Sequence, residues 1–191
     1  MPNEVVAAKA AARTAALARR DSLSAEVRDQ AGLALARRSF PVGAAGRIVA
    51  GYWPIRSEID PRPLLAALGR SAAGLALPVV EEGRLVFRAF AEGDPLVKAP
   101  FGLSQPSGAA PPVVPDILLV PLAAFDRAGR RLGYGRGYYD GYLAARRSAG
   151  DRPLAVGVAF AGQEVAEVPT EAHDQRLDWI LTEAEIIRTA G

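Results

Sequence analysis

The residues with the densest chemical potential lie between positions 131 and 143, "RLGYGRGYYDGYL", which hold four glycines, four tyrosines, two arginines and an aspartate. Glycine adopts backbone angles closed to other residues and lets a second molecule approach the main chain. A helix N-terminus adds unpaired N–H groups and a partial positive charge, which together hold anions. Gly133, Gly135 and Gly137 precede the helix-like run "YYDGYLAARR", with Arg131 and Arg136 alongside. Several N–H groups would then converge on one point, as in a polyphosphate cradle. The spacing matches neither "GxxxxGK[ST]" nor "GxGxxG". A tight turn that merely needs glycine has the same composition, so on the residues alone both readings stand.

Three further groups could serve such a cradle. Asp140 falls in the first turn of the expected helix, where it could hold Mg²⁺ on phosphate oxygens or simply complement the helix dipole. Asp174, in "HDQRLD", is a second candidate carboxylate, or a solvated loop residue. Lys9 and Arg13 in "KAAAR" share a helical face at i and i+4. They repel unless an anion faces them, and a solvated basic face is the ordinary outcome. The chain has no cysteine and one histidine, His173, which is expected to brace the Asp174 loop. Covalent and imidazole catalysis are poorly supplied. Phosphoryl transfer, which depends on positioning and charge, is well supplied.

The elements that must position these residues can be read from pattern. Residues 3 to 20 and a segment from an N-cap at Ser24 to about Arg38 read as helices. "RIVAGYW" reads as a strand, and Asp60 with Pro61 as the cap and first turn of a helix reaching Leu68. "GLALPVV" and "RLVFRAF" are strands joined by "EEG", and residues 98 to 115 read as irregular. "DILLVP" and "PLAVGVAF" are unbroken apolar runs, which suit strands buried on both faces. "DWILTE", with Trp179 in the core, is expected as a short final strand. The pattern implies one α/β domain over residues 1 to 191, a three-layer αβα unit with a mostly parallel central sheet and N-terminal helices.

Bulk properties narrow the field. Half of the 191 residues are hydrophobic and the net charge is +2, which excludes disorder and gives no basic attraction to nucleic acid. No run approaches the roughly 18 apolar residues of a membrane helix. Lysine and arginines interrupt the alanine-rich start, so it reads as an amphipathic helix, neither a secretory signal nor a transit peptide. Absence of cysteine fits a cytoplasmic protein.

Taken together, the segments resemble the 5-formyltetrahydrofolate cyclo-ligase (5,10-methenyltetrahydrofolate synthetase) family. The resemblance is carried by the K-x-x-x-R helix, "GYWPIRSEID", "DILLVPLAAFDRAGRRLGYGRGYYDGYL" and "VGVAFAGQEVAEVPTEAHDQRLDWILTE". It implies an ATP- and Mg²⁺-dependent cyclisation of 5-formyltetrahydrofolate by a monomer with small-molecule partners only. By resemblance, Lys9 and Arg13 contact ATP phosphates, and Arg131, Leu132, Gly133, Tyr134, Gly135, Arg136, Gly137, Tyr138 and Tyr139 form the nucleotide loop. Asp140 and Asp174 match the metal carboxylates. Glu58 matches a folate contact, Trp53 lines the pterin pocket, and Tyr134 to Tyr138 face the formyl group. Lys9, Arg13, Arg131 and Tyr138 are the expected catalytic groups. Ala12 and Arg136 depart from the residues common in the family, and residues 81 to 112 align with no pattern. Two other readings remain: a sugar-phosphate isomerase-like enzyme on a similar fold, and a non-catalytic folate- or nucleotide-binding relative.

Overall fold

Two N-terminal helices open the structure, a computed structural model that describes residues 2–99, 102 and 104–189. Helix α1 (Pro2–Asp21) buries Lys9, Ala16 and Arg20 and half-buries Arg13, a stripe at helical spacing, so its inward face is partly cationic. Helix α2 (Ala25–Arg37) starts where expected: Ser24 is extended and its Oγ accepts from the Val27 N–H at 3.2 Å.

Strand β1 (Ile48–Ala50) leads through α3 (Arg62–Gly69) to β2 (Gly74–Glu81) and β3 (Arg84–Phe90). Short strands β4 (Leu96–Lys98), β5 (Ser104–Pro106) and β6 (Pro112–Val113) follow. Then come β7 (Ile117–Pro121), the hairpin β8 (Ala124–Phe125) and β9 (Arg131–Leu132), α4 (Tyr138–Ser148), β10 (Leu154–Val158), β11 (Trp179–Leu181) and β12 (Ile186–Arg188).

The main sheet runs β12-β11-β10-β7-β1-β2-β3-β6. Its centre, β11 through β2, is parallel, and antiparallel strands flank it on both edges. Side chains alternate between two cores. Val49, Leu77, Ile117, Leu119 and Val156 pack with Leu35, Leu64 and Leu68 of α2 and α3. Ala50, Ala76, Leu118, Val120 and Ala155 pack on the opposite side with Leu143 of α4. Helices therefore cover both faces, which explains why the central strands are continuous apolar runs: each is buried twice.

Several expectations need correction. The first strand stops at Ala50: Gly51 makes a last bond to the sheet, its N–H donating to the Ala76 carbonyl at 3.0 Å, and Tyr52 and Trp53 then line the crevice. Asp60 stands one residue outside the α3 cap: Pro61 occupies the N-cap, and Asp60 Oδ1 accepts from the Arg62 N–H at 2.9 Å. The "irregular" region contains β5 and β6, two or three residues each, paired with β4 and β3, though residues 100, 101 and 103 lie outside the described residues. "DWILTE" is not last, since β12 folds back antiparallel to β11. Among the described residues no helix is long and apolar enough to cross a membrane.

The topology dictates where a ligand can enter. From β1 the chain moves to β2 on one side, while β7 pairs on the other side of β1. Loops leaving the carboxyl ends of β1 and β7 therefore diverge, and such a switch point opens a crevice.

Candidate active site

That crevice is a cavity of about 750 Å³, bordered by Tyr52 and Trp53 beyond β1 and by Pro121 at the end of β7. Every site residue expected from the sequence lines it: Lys9, Arg13, Trp53, Glu58, the whole run from Arg131 to Asp140, and Asp174. They come from α1, two β–α loops and the segment before β11, so only the fold brings them together.

At one end lies the glycine loop. Gly135 and Gly137 have φ of 88° and 67°, the left-handed region that penalises other residues. Gly137 is the N-cap of α4 and offers no side-chain cap, which leaves the first helical N–H groups to an external acceptor. Arg13 Nε donates to the Gly133 carbonyl at 2.6 Å. Its guanidinium lies 3.5 Å from where a Cβ on Gly135 would sit. Helix α1 is thereby latched onto the loop.

Beside the loop, charges pair across long sequence separations. Lys9 Nζ donates to Asp174 Oδ2 at 2.5 Å and to Glu171 Oε2 at 2.8 Å. Burial pulls the Lys9 ammonium down, but its two carboxylate partners outweigh this and the net shift is upward. Burial likewise raises the Asp174 carboxyl, and the bonds from Lys9 and the Glu171 N–H win, leaving it below the usual range. Arg131, with a side chain 4% exposed, donates to Asp140 Oδ1 at 2.8 Å and also to the Gln175 carbonyl. Burial lowers its guanidinium and Asp140 opposes the shift. The repulsion expected between Lys9 and Arg13 is thus resolved by acids on another segment. His173 is mostly exposed, with Nε2 3.7 Å from Asp174 Oδ1, as a loop residue would be.

The other end is apolar and holds one buried acid. Glu58 Oε2 accepts from the Ile55 N–H at 2.9 Å. Burial raises its carboxyl, while Ile55, Tyr134 and the Arg20 and Arg56 charges pull it back. Tyr52 donates to the Ile59 carbonyl at 3.0 Å. Trp53 meets Phe90 edge-on at 6.2 Å and takes the Arg62 guanidinium over its ring at 4.9 Å, so it is both core and cavity wall. Tyr139 presents a buried hydroxyl with no hydrogen-bond partner among the described residues. Tyr138 is half-buried in the first turn of α4, and Arg136 is exposed.

Three neighbours escaped the sequence reading. Glu171, at i−3 from Asp174, had no local signal beyond that spacing. Tyr52 was absorbed into a strand that ends earlier. Arg20 lies eleven residues after Lys9, three helical turns along the same face, and that register was the available clue.

A doubly covered α/β sheet, with a basic glycine loop at its switch point facing an apolar pocket with a buried acid, defines an enzyme-type site for an anionic group and an organic ring. Comparison gives it a family. Residues 5–183 match the 5-formyltetrahydrofolate cyclo-ligase family, and the chain belongs to it. It is 33% identical to the 5-formyltetrahydrofolate cyclo-ligase of Mycolicibacterium smegmatis, over 91% of this chain and 93% of that one. Identity to the Escherichia coli K12 protein of the same name is 30%, over 88% and 96%. The solution structure of Aquifex aeolicus 5,10-methenyltetrahydrofolate synthetase superposes with a TM-score of 0.78 at 29% identity, covering 96% and 93% of the two chains. The chain is therefore a ligase of the 5-formyltetrahydrofolate cyclo-ligase family.

Proposed function

We propose that this single-domain chain converts 5-formyltetrahydrofolate to 5,10-methenyltetrahydrofolate through phosphorylation of the formyl oxygen, with ADP and phosphate released. The formyl oxygen forms a bond to the γ-phosphorus of ATP as the bond to ADP breaks. N10 of the folate then closes onto the activated carbon, loses its proton, and the carbon–oxygen bond to phosphate breaks. Lys9, Arg13 and the N–H groups of the glycine loop bind and orient the phosphates, and Arg131 fixes Asp140 beside them. Glu58, an acceptor, faces the N–H edge of the pterin. Trp53 and Tyr138 wall the ring, with Tyr134 to Tyr138 toward the formyl group.

The residues fit magnesium. Asp140 takes both its hydrogen bonds on Oδ1, and Asp174 takes those from Lys9 and the Glu171 N–H on Oδ2, so each commits one oxygen. Two carboxylates completed by phosphate oxygens suit this ion. Among the described residues no group of three metal-type side chains stands together. Bound there, Mg²⁺ supplies charge neutralisation for the transferring phosphoryl group.

The observation that carries this reading is the convergence of a cationic glycine loop, two carboxylates and the buried Glu58 on one cavity. The test is incubation with 5-formyltetrahydrofolate, with and without ATP, in magnesium or in EDTA, following the methenyl chromophore and phosphate together. The reading expects both products in equal amounts, and only with ATP and magnesium. Methenyl product without ATP consumption would overturn it.

A further inference from the structure

Arg20 has no part in the mechanism above, yet its side chain is 1% exposed. Burying a guanidinium costs several kcal/mol unless it is well paired, and this one has mainly neutral partners. Its Nε donates to Ser57 Oγ at 2.9 Å and its Nη1 to the Tyr134 hydroxyl at 2.8 Å. The guanidinium also lies 5.6 Å from the centre of the Tyr134 ring. The nearest carboxylate, Asp21 at 3.9 Å, is 60% exposed, and the Ser57 hydroxyl donates to it. Ser57 immediately precedes Glu58, and the Tyr134 hydroxyl interacts with the Glu58 carboxylate. Arg20 therefore joins three elements: the helix that carries Lys9 and Arg13, the loop that carries Glu58, and the glycine loop.

We propose that Arg20 is a positioning residue for the folate end of the cavity, tying Tyr134 to the Ser57–Glu58 loop and supplying the buried positive charge against which Glu58 accepts the pterin N–H groups. The charged and titratable groups around Glu58 include the hydroxyls of Tyr52, Tyr134 and Tyr139, the guanidiniums of Arg20 and Arg56, and, across a smaller adjoining cavity, Arg28, Asp29, Asp60 and Arg62. Arg56 is exposed and screened by water and salt. Arg20 is the shielded cation, and together with the Ile55 N–H and Tyr134 its charge favours a carboxylate that burial disfavours. This inference rests on the proposed role of Glu58.

The test is kcat/KM for 5-formyltetrahydrofolate from roughly pH 5 to pH 9, at saturating ATP, with melting temperature measured beside it. The parent is compared with Glu58→Gln, Arg20→Met, Arg20→Lys and Tyr134→Phe. The acid limb of the parent is expected to vanish in Glu58→Gln and to move up by about one pH unit in Arg20→Met, the usual scale for loss of an adjacent opposite charge. KM for the folate rises in Arg20→Met, most steeply on the acid side where Glu58 loses its charge, while KM for ATP and kcat change far less. Arg20→Lys keeps the charge and restores the limb, though not the full affinity, because it cannot make both hydrogen bonds with the same geometry. Tyr134→Phe, which keeps the ring, moves KM in the same direction and serves if Arg20→Met does not fold. A folded Arg20→Met enzyme with an unmoved limb and unchanged KM overturns the proposal, as does an unaffected Tyr134→Phe where Arg20→Met fails to fold. If Glu58→Gln keeps both limb and KM, the role of Glu58 is at fault, and the proposal falls with it.

Discussion

Replacing Asp140 by alanine removes more than a candidate metal ligand. Asp140 Oδ1 accepts from Arg131 at 2.8 Å and from the Gln175 N–H at 2.9 Å, and the Arg131 side chain is only 4% exposed. Breaking a buried ion pair from one side costs about 3–5 kcal/mol, since the remaining charge is stranded. Asp140 itself is 24% exposed. Water can therefore reach the vacated position, and the lower end, about 3 kcal/mol, applies. In a chain of this size about 1 kcal/mol moves Tm by about 2–4 °C, which gives a fall of about 6–12 °C. Asp140→Asn keeps an amide oxygen toward Arg131 and should lose about half of that. The paired change Arg131→Met with Asp140→Leu removes both charges and should recover most of the Tm. Turnover should stay low by orders of magnitude in all three. Calorimetry at neutral pH with parallel turnover assays separates the two roles. An Asp140→Ala enzyme that melts like the parent refutes the ion-pair argument, and one that unfolds earlier but turns over normally removes Asp140 from the metal site.

Lys9→Met should change the pH dependence of stability as well as ATP binding. Asp174 sits below the usual carboxyl range, so its contribution is present above its unfolded value near 4 and lost as pH falls through its folded value. Lys9 is raised, so its contribution persists below about pH 10 and is lost above its folded value. The Tm gap between parent and variant should be flat from about pH 5 to 9 and close on the acid side; a gap constant down to about pH 2 refutes it. Glu58→Gln should raise Tm at pH 7 while weakening folate binding. Burial raises this carboxyl, so the parent's penalty is absent below its unfolded value near 4 and complete above its folded one. A Gln variant that melts lower at pH 7 contradicts this. Gly137→Ala places a side chain at φ 67° with nothing within 4 Å of its Cβ. Thermal melts should show a cost of about 1 kcal/mol from backbone strain alone. A rise in KM for ATP well beyond that cost is expected if phosphate occupies the space, and an unchanged KM tells against it.

What could be read from the chain beforehand was mostly local. The Ser24 cap, the β2–β3 turn and the helix after Gly137 each depend on residues within a few positions of one another. The buried parallel strands were legible because burial on both faces leaves no polar alternation. Strands of two or three residues, such as β8, β9 and β5, carry too few side chains to show a period, and only their partners define them. The residues proposed for the site, which line one cavity, came from family resemblance, and their partners had no such signal. Nothing in "EVPTEAHD" says that Glu171 will meet Lys9 across 162 positions. Arg20 reads as one cation among several on α1 until the fold closes over it.

The pairing pattern bears on how such a site works. Within the cavity, Lys9 is held by Asp174 and Glu171, and Arg131 by Asp140, so cations sit beside the same carboxylates proposed to hold magnesium. On the proposed reading, Lys9 and the loop amides orient the phosphates, while Asp140 and Asp174 each extend their second oxygen to the ion. The side chains need exchange few partners to do so. Their geometry is set beforehand by hydrogen bonds to the backbone at Gly133, Glu171 and Gln175. Groups aligned before the substrate arrives need little reorganisation as charge moves to the leaving oxygen, which is where electrostatic catalysis gains most. Backbone contacts that touch no ligand should therefore matter to rate: Gln175→Pro, which deletes the N–H donated to Asp140, should lower kcat more than it raises KM for ATP. Equal changes in the two constants, measured at saturating folate, would mean that the carboxylate needs no such support.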